Sequence, residues 1–86
     1  MEKIHENPYL KVYRGTLIEV LREYSSGGWT AHYNDEAVPV RALYEFLEKA
    51  GIGNIQVQIE CFTESDRVLV HHRNEKGLGH LICELK

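Results

Sequence analysis

Hydrophobic and polar positions alternate along the last third of the chain, from Ile55 to Leu85. Three such stretches are separated by clusters of polar, turn-forming residues at 63–66 and 73–79. Alternation with a period of two is typical of strands that bury one face and expose the other. The pattern therefore predicts a three-stranded antiparallel meander.

The segment between Pro39 and Gly51 has helical spacing instead. Its apolar positions form one broad face, made up of Val40, Leu43, Tyr44, Phe46, Leu47 and Ala50. Proline is favoured in the first turn of a helix, and glycine is favoured just after its end. An amphipathic helix is therefore predicted here.

Residues 8–25 permit two interpretations. One helix over this whole range would contain Gly15, at a cost of about 1 kcal/mol relative to alanine. Alternatively, residues 9–13 are extended and a shorter helix begins at Thr16, which forms a capping-box pattern with Glu19. The capping box favours the second interpretation.

The resulting fold class is α+β, with two helices and an antiparallel sheet that ends in the meander. A short alternating stretch, Trp29 to Tyr33, predicts one further strand between the helices, so the element order is α-β-α-β-β-β. The length fits a single small domain over residues 1–86. Residues 1–7 are expected to be frayed.

Strand parity predicts which side chains share a face of the meander. A four-residue first loop pairs Cys61 with Val68, and the better third-strand register adds Leu81, Cys83 and Leu85 to the same inner face. The other residues of that face are Val57, Ile59, Val70 and His72. The two cysteines then lie on either side of the middle strand, which predicts two free, buried thiols.

The outer face of the meander is mixed, and its apolar members are the candidates for partner binding. Scattered exposure, cover by the first helix and a partner or dimer surface are all compatible with the pattern. Trp29 is added because an indole after a double glycine can anchor an interface. The predicted partner-binding residues are Phe62, Leu69, Ile82, His71, His80, Arg67 and Trp29.

Composition and charge narrow the classes of partner. The chain is 43% hydrophobic and 27% charged, with a net charge of −3 and no run of basic residues. Nucleic-acid binding is therefore disfavoured, although His71, His72 and Arg73 form one local cluster that could touch phosphates. No apolar stretch reaches the length of a membrane span, and no leader-like segment is visible, so a cytoplasmic protein is expected.

The cysteines and histidines are the residues with candidate chemistry. Their spacing lacks the paired ligands of a zinc site, and no catalytic or phosphate-binding motif is present. We therefore expect no metal, no cofactor and no catalytic residue. The favoured function is a small non-enzymatic protein-binding module: a regulator, inhibitor or accessory subunit, with homodimerisation as one form of that binding. The alternatives are a nucleic-acid-binding protein and a small metal-binding or thiol enzyme.

Overall fold

The computed structural model describes the backbone of residues 1–86 and every side chain except that of Leu78. The elements are β1 (Glu2–Glu6), β2 (Leu10–Thr16), α1 (Leu17–Glu23), β3 (Thr30–Tyr33), β4 (Glu36–Pro39), α2 (Val40–Ala50), β5 (Gln56–Phe62), β6 (Arg67–Asn74) and β7 (Gly77–Leu85). The strands form one antiparallel sheet in the order β1-β2-β5-β6-β7-β3-β4. This confirms the α+β class and the C-terminal meander.

Both helices pack on the same face of the sheet, which we call the covered face. Apolar residues at alternate positions of the three meander strands point toward the helices and exclude water, which provides the main stabilisation of the fold. The buried residues of this core are Leu17, Val20, Leu21, Ala31, Val40, Val57, Ile59, Val68, Val70, Cys83 and Leu85.

The predicted register of the first hairpin of the meander is confirmed. Cys61 lies opposite Val68, and Ile59 lies opposite Val70. The predicted register of the third strand holds only for its last part, where Cys83 pairs with Val70. Strand alternation thus identifies the covered face of β5 and β6 correctly.

Two β-bulges in β7 change the faces of its other residues. The register shifts after Val70, so that Leu81 lies opposite His71 and Ile82 becomes the extra residue. Ile82 packs against the core, whereas Leu81 is 40% exposed. The predictions that placed Leu81 on the inner face and Ile82 on the outer face are therefore wrong.

The second bulge lies at Gly79 and brings β7 close to His72. The ring of His80 stacks on that of His72, with ring centres 5.5 Å apart and planes inclined by 15°. His72 is opposite the buried Val57, so this pair lies at the end of the covered face. The predicted outer-face position of His80 is wrong for the same reason as that of Ile82.

The N-terminal part is more regular than expected. Residues 2–6, which were expected to be frayed, form β1 and pair with β2, and β4 adds another strand that the sequence pattern did not predict. The shorter-helix interpretation is confirmed: Glu19 N donates to Thr16 Oγ1 at 3.3 Å, and Thr16 N donates to Glu19 Oε1 at 3.1 Å. The observed order is therefore β-β-α-β-β-α-β-β-β.

Backbone hydrogen bonds join the start of α1 to the segment that follows α2. Leu17 N donates to the Ile55 carbonyl at 2.8 Å, and Ile18 N donates to the Gly53 carbonyl at 2.9 Å. These bonds satisfy two of the free N–H groups of the first helical turn. Gly53 has a φ of 108°, and a side chain there would also approach Ile18 Cβ to 3.2 Å. Glycine therefore permits the contact that fixes α1 relative to α2.

Helix α2 is amphipathic, as predicted, but not all of its apolar face is buried. Val40 is fully buried, while Phe46 is 66% exposed. Gly51 ends the helix with a φ of 70°. Within the described part of the chain, no helix has the length and apolar character needed to cross a membrane.

The close approach at the second bulge yields a stability prediction. A Cβ on Gly79 would lie 2.9 Å from the His72 carbonyl oxygen, which belongs to the backbone and cannot rotate away. We expect Gly79→Ala to lower the free energy of unfolding by about 1–3 kcal/mol, as overpacking does, measured by urea denaturation. Gly15→Ala is the matched control, since its nearest neighbour is the flexible Met1 side chain at 3.0 Å. Equal effects of the two substitutions would contradict this account of the bulge.

Candidate functional site: the uncovered sheet face

The sheet has a second face, opposite to the one on which the helices pack, and we call it the open face. Register partners place its side chains in rows that run across the strands. Because side chains alternate along each strand, these residues all point away from the helices. The open face includes Leu10, Val12, Arg14, His32, Gln58, Glu60, Phe62, Arg67, Leu69, His71, Leu81 and Glu84.

Apolar and charged residues are interleaved on the open face. One row crosses four strands as Val12, Glu60, Leu69 and Glu84. Val12 is only 6% exposed although no helix covers it, and Leu69 is half-buried. The neighbouring long side chains therefore already shield much of the apolar surface. Such a face combines apolar anchors with a polar surround, which is the usual composition of a protein interface.

Arg67 occupies one end of the open face and makes two contacts. Its Nε atom lies 3.1 Å from Glu84 Oε1 and 3.2 Å from Glu84 Oε2. The guanidinium carbon also lies 5.9 Å from the centre of the Phe62 ring, within the range of a cation–π interaction. An exposed ion pair contributes at most about 1 kcal/mol to stability, so the main effect of these contacts is to orient the guanidinium beside the ring.

His71 and Glu60 form the centre of the face. His71 Nε2 lies 2.8 Å from Glu60 Oε1, on neighbouring strands. The nitrogen is buried, yet the contact is not aligned as a hydrogen bond. The two residues thus form a polar contact between neighbouring rows of the open face.

Two arginines of the open face already have anionic neighbours. Arg14 pairs with Glu2 and Arg67 pairs with Glu84, while the His71 ring lies beside Glu60. A phosphate would have to displace these carboxylates before it could bind. Arg73, near the end of β6, donates to the side-chain oxygen of Gln56.

The basic cluster predicted at residues 71–73 is divided between the two faces. His71 points to the open face, whereas His72 stacks on His80 at the covered side. The three side chains therefore do not form one continuous surface. This arrangement weakens the phosphate-binding interpretation, which depended on their proximity.

Trp29 is placed away from the open face. Its indole contacts Tyr24 edge-to-face, with ring centres 4.8 Å apart and an angle of 71°. It is half-buried and packs against the core, and Val40 N donates to its carbonyl oxygen at 3.0 Å. Of the seven predicted partner-binding residues, the open face brings together Phe62, Arg67, Leu69 and His71.

Strand β2 supplies residues of the open face that the sequence pattern did not assign. Leu10 lies opposite Phe62, and Val12 lies opposite Glu60. The signal was present, because Leu10 and Val12 alternate with Lys11 and Tyr13. Leu10 and Tyr13 also fit a helical spacing with Leu17, and this second interpretation left the alternation unassigned to a sheet face.

The two cysteines have different environments on the covered side. Cys83 is buried, and burial raises the pKa of its thiol to about 11. Cys61 is half-buried, and its Sγ atom lies 3.5 Å from the hydroxyl oxygen of Tyr24. Burial, with a smaller effect of this hydrogen bond, raises the pKa of the Tyr24 hydroxyl. Both thiols are free, as predicted, but of the two only Cys83 is buried.

Among the described residues, no group of three or more histidine, cysteine, aspartate or glutamate side chains is arranged to hold a metal ion. In particular, Cys83 lies on the covered face, whereas His71 points to the open face. The mixed Cys/His set therefore does not converge on one point.

Comparison with protein-family models, with curated proteins and with solved structures finds no match for this chain.

The environments of the thiols predict their order of reaction. With an alkylating reagent at pH 8, Cys61 should react first, because Cys83 is buried and its pKa of about 11 disfavours the reactive thiolate. Mass spectrometry of the modified peptides measures this order. In Cys61→Ser, alkylation of Cys83 should become detectable only when urea populates unfolded chains. Rapid labelling of Cys83 in the native protein would contradict its placement.

Cys83 also predicts a pH dependence of stability. Its pKa is higher in the folded than in the unfolded chain, where a cysteine has a pKa of about 8.5. The folded state therefore disfavours ionisation, so its stability should fall as pH rises from about 8.5 toward 11. Urea denaturation at several pH values measures the slope. Cys83→Ala should remove this component and leave the rest of the profile.

Proposed function

We propose that this chain is a non-enzymatic protein-binding module whose partner docks on the open face. The single observation that supports the proposal is the one-sided arrangement of the helices: a seven-stranded sheet has Phe62 and Leu69 on its uncovered side, surrounded by charged residues. Apolar side chains within a polar surround can be desolvated by a partner without leaving many polar groups unpaired.

The charge pairs of this face favour a protein over a nucleic acid. Nucleic-acid affinity depends on cations that replace counterions along the phosphates. Here Arg67 and His71 have carboxylates within 3.1 and 2.8 Å. Alternating charges of both signs suit a protein surface with the complementary pattern, which contributes to specificity.

A regulator, an inhibitor or an accessory subunit would each use such a face, and a second copy of the chain is one form of partner. We further propose a cytoplasmic location, in keeping with two unpaired thiols. The open face is therefore the surface on which a test of function should concentrate.

Leu69→Lys tests the proposal. It places a charge at the centre of the open face, at a half-buried position, so we expect the affinity for a docked partner to fall by about 30-fold or more, corresponding to about 2 kcal/mol. The measurement is cross-linked capture from the native host, followed by binding of the purified partner. Sedimentation velocity over a range of concentrations measures self-association in the same variants.

Phe46→Lys is the matched control, because Phe46 is a 66% exposed apolar residue on α2 and lies away from the open face. Binding should survive this change. A partner that is lost with Phe46→Lys and retained with Leu69→Lys would assign binding to the other side of the molecule. Retention of an oligonucleotide by the wild type in low salt, lost in Arg67→Gln, would favour the nucleic-acid alternative.

A further inference from the structure

An apolar groove lies on the covered side of the molecule and is separate from the open face. The groove lies between the helices and the β3–β4 hairpin, and its volume is about 310 Å³. That volume is near the lower end of the range for small-molecule sites, roughly 300–1,000 Å³. Its apolar lining includes Leu17, Ala31, Val38, Leu43, Leu47 and Ile82, with Cys83 beside them.

The first bulge of β7 creates part of this groove. Ile82 is the extra residue of the bulge, and it points toward the helices instead of the open face. Without the bulge, strand alternation would place Leu81 on the covered side and Ile82 on the open face. The groove is thus a consequence of a specific irregularity, and such irregularities are frequent next to functional sites.

Two polar side chains lie at the mouth of the groove. Tyr33 and Glu36 are the register pair that closes the β3–β4 hairpin, and both are exposed. Across the described side chains, Glu36 is not a member of any ion pair, whereas most carboxylates of the sheet faces have a cationic neighbour. An apolar groove with one unpaired carboxylate at its mouth is complementary to an apolar group that carries a positive charge.

We infer that the groove binds a small apolar amine, with its hydrocarbon part among Leu43, Leu47 and Ile82 and its ammonium group beside Glu36. The inference goes beyond the protein-binding proposal, because the groove and the open face lie on opposite sides of the sheet. Leu69→Lys should therefore leave amine binding unchanged.

The inference is tested by titrating the protein with octylamine, octanol and octanoate, which have the same chain length and different end groups. Methyl chemical shifts of Leu43, Leu47 and Ile82 in NMR spectra report occupancy. Octylamine should bind about fivefold more tightly than octanol, the factor expected of one exposed ion pair, and octanoate should bind more weakly than octanol. From butylamine to octylamine, affinity should rise by up to about fourfold per methylene.

Two substitutions separate the charge from the groove. Glu36→Gln should abolish the preference for octylamine over octanol while octanol binding persists. Val38→Lys should lower octylamine affinity at least tenfold, because the new ammonium occupies the mouth and pairs with Glu36. Leu81→Lys is the matched control: Leu81 is 40% exposed and Val38 is 39% exposed, but Leu81 lies on the opposite face.

Three results would overturn the inference. The first is the absence of shifts at the groove methyls with all three compounds. The second is equal affinity for octylamine and octanoate. The third is self-association through the groove. In that case the molecular mass of the wild type would rise with protein concentration, whereas Val38→Lys would keep the mass of one chain, because a second copy occupies the groove.

Discussion

Alternation of side chains along β5 and β6 is the constraint on which the rest of the structure depends. In these strands Ile59 and Val70 point toward the helices, so Glu60 and Leu69 must point away from them. A one-residue slip would move every apolar residue of the core to the opposite side. Because both helices lie on one side, the same alternation produces the buried core and the open face together.

The sequence predicts this part of the fold well because the signals agree. The first hairpin of the meander has a short polar loop and uninterrupted alternation, and its register follows from both. The capping box at Thr16 also identifies the start of α1 correctly, since its hydrogen bonds are local and depend on residues three positions apart. Local patterns that need no distant partner were thus the most reliable.

The errors occur where distant contacts decide the conformation. An extended segment over residues 9–13 was favoured, but the full strand over residues 10–16 was not predicted; it forms because β5 offers backbone partners along its whole length. In β7, the bulges reverse the facing of Leu81 and Ile82, and alternation alone contains no signal for an extra residue. Gly79 was the available indication of the second bulge, because a glycine within a strand often marks a bulge or a close backbone approach.

The two edges of the sheet leave the faces as the available surfaces for association. Edge strand β1 carries four ionisable residues, Glu2, Lys3, His5 and Glu6, and is interrupted by a bulge. Edge strand β4 has only four residues and ends at Pro39, which lacks an N–H group. Charged, bulged, short and proline-terminated edges resist pairing with another strand. A partner that cannot extend the sheet must contact a face, and the two faces differ in character. The open face has interleaved charges and apolar anchors over a wide area, which suits a protein surface. The groove on the covered side is compact and apolar and has one carboxylate at its mouth, so it suits a small cationic ligand.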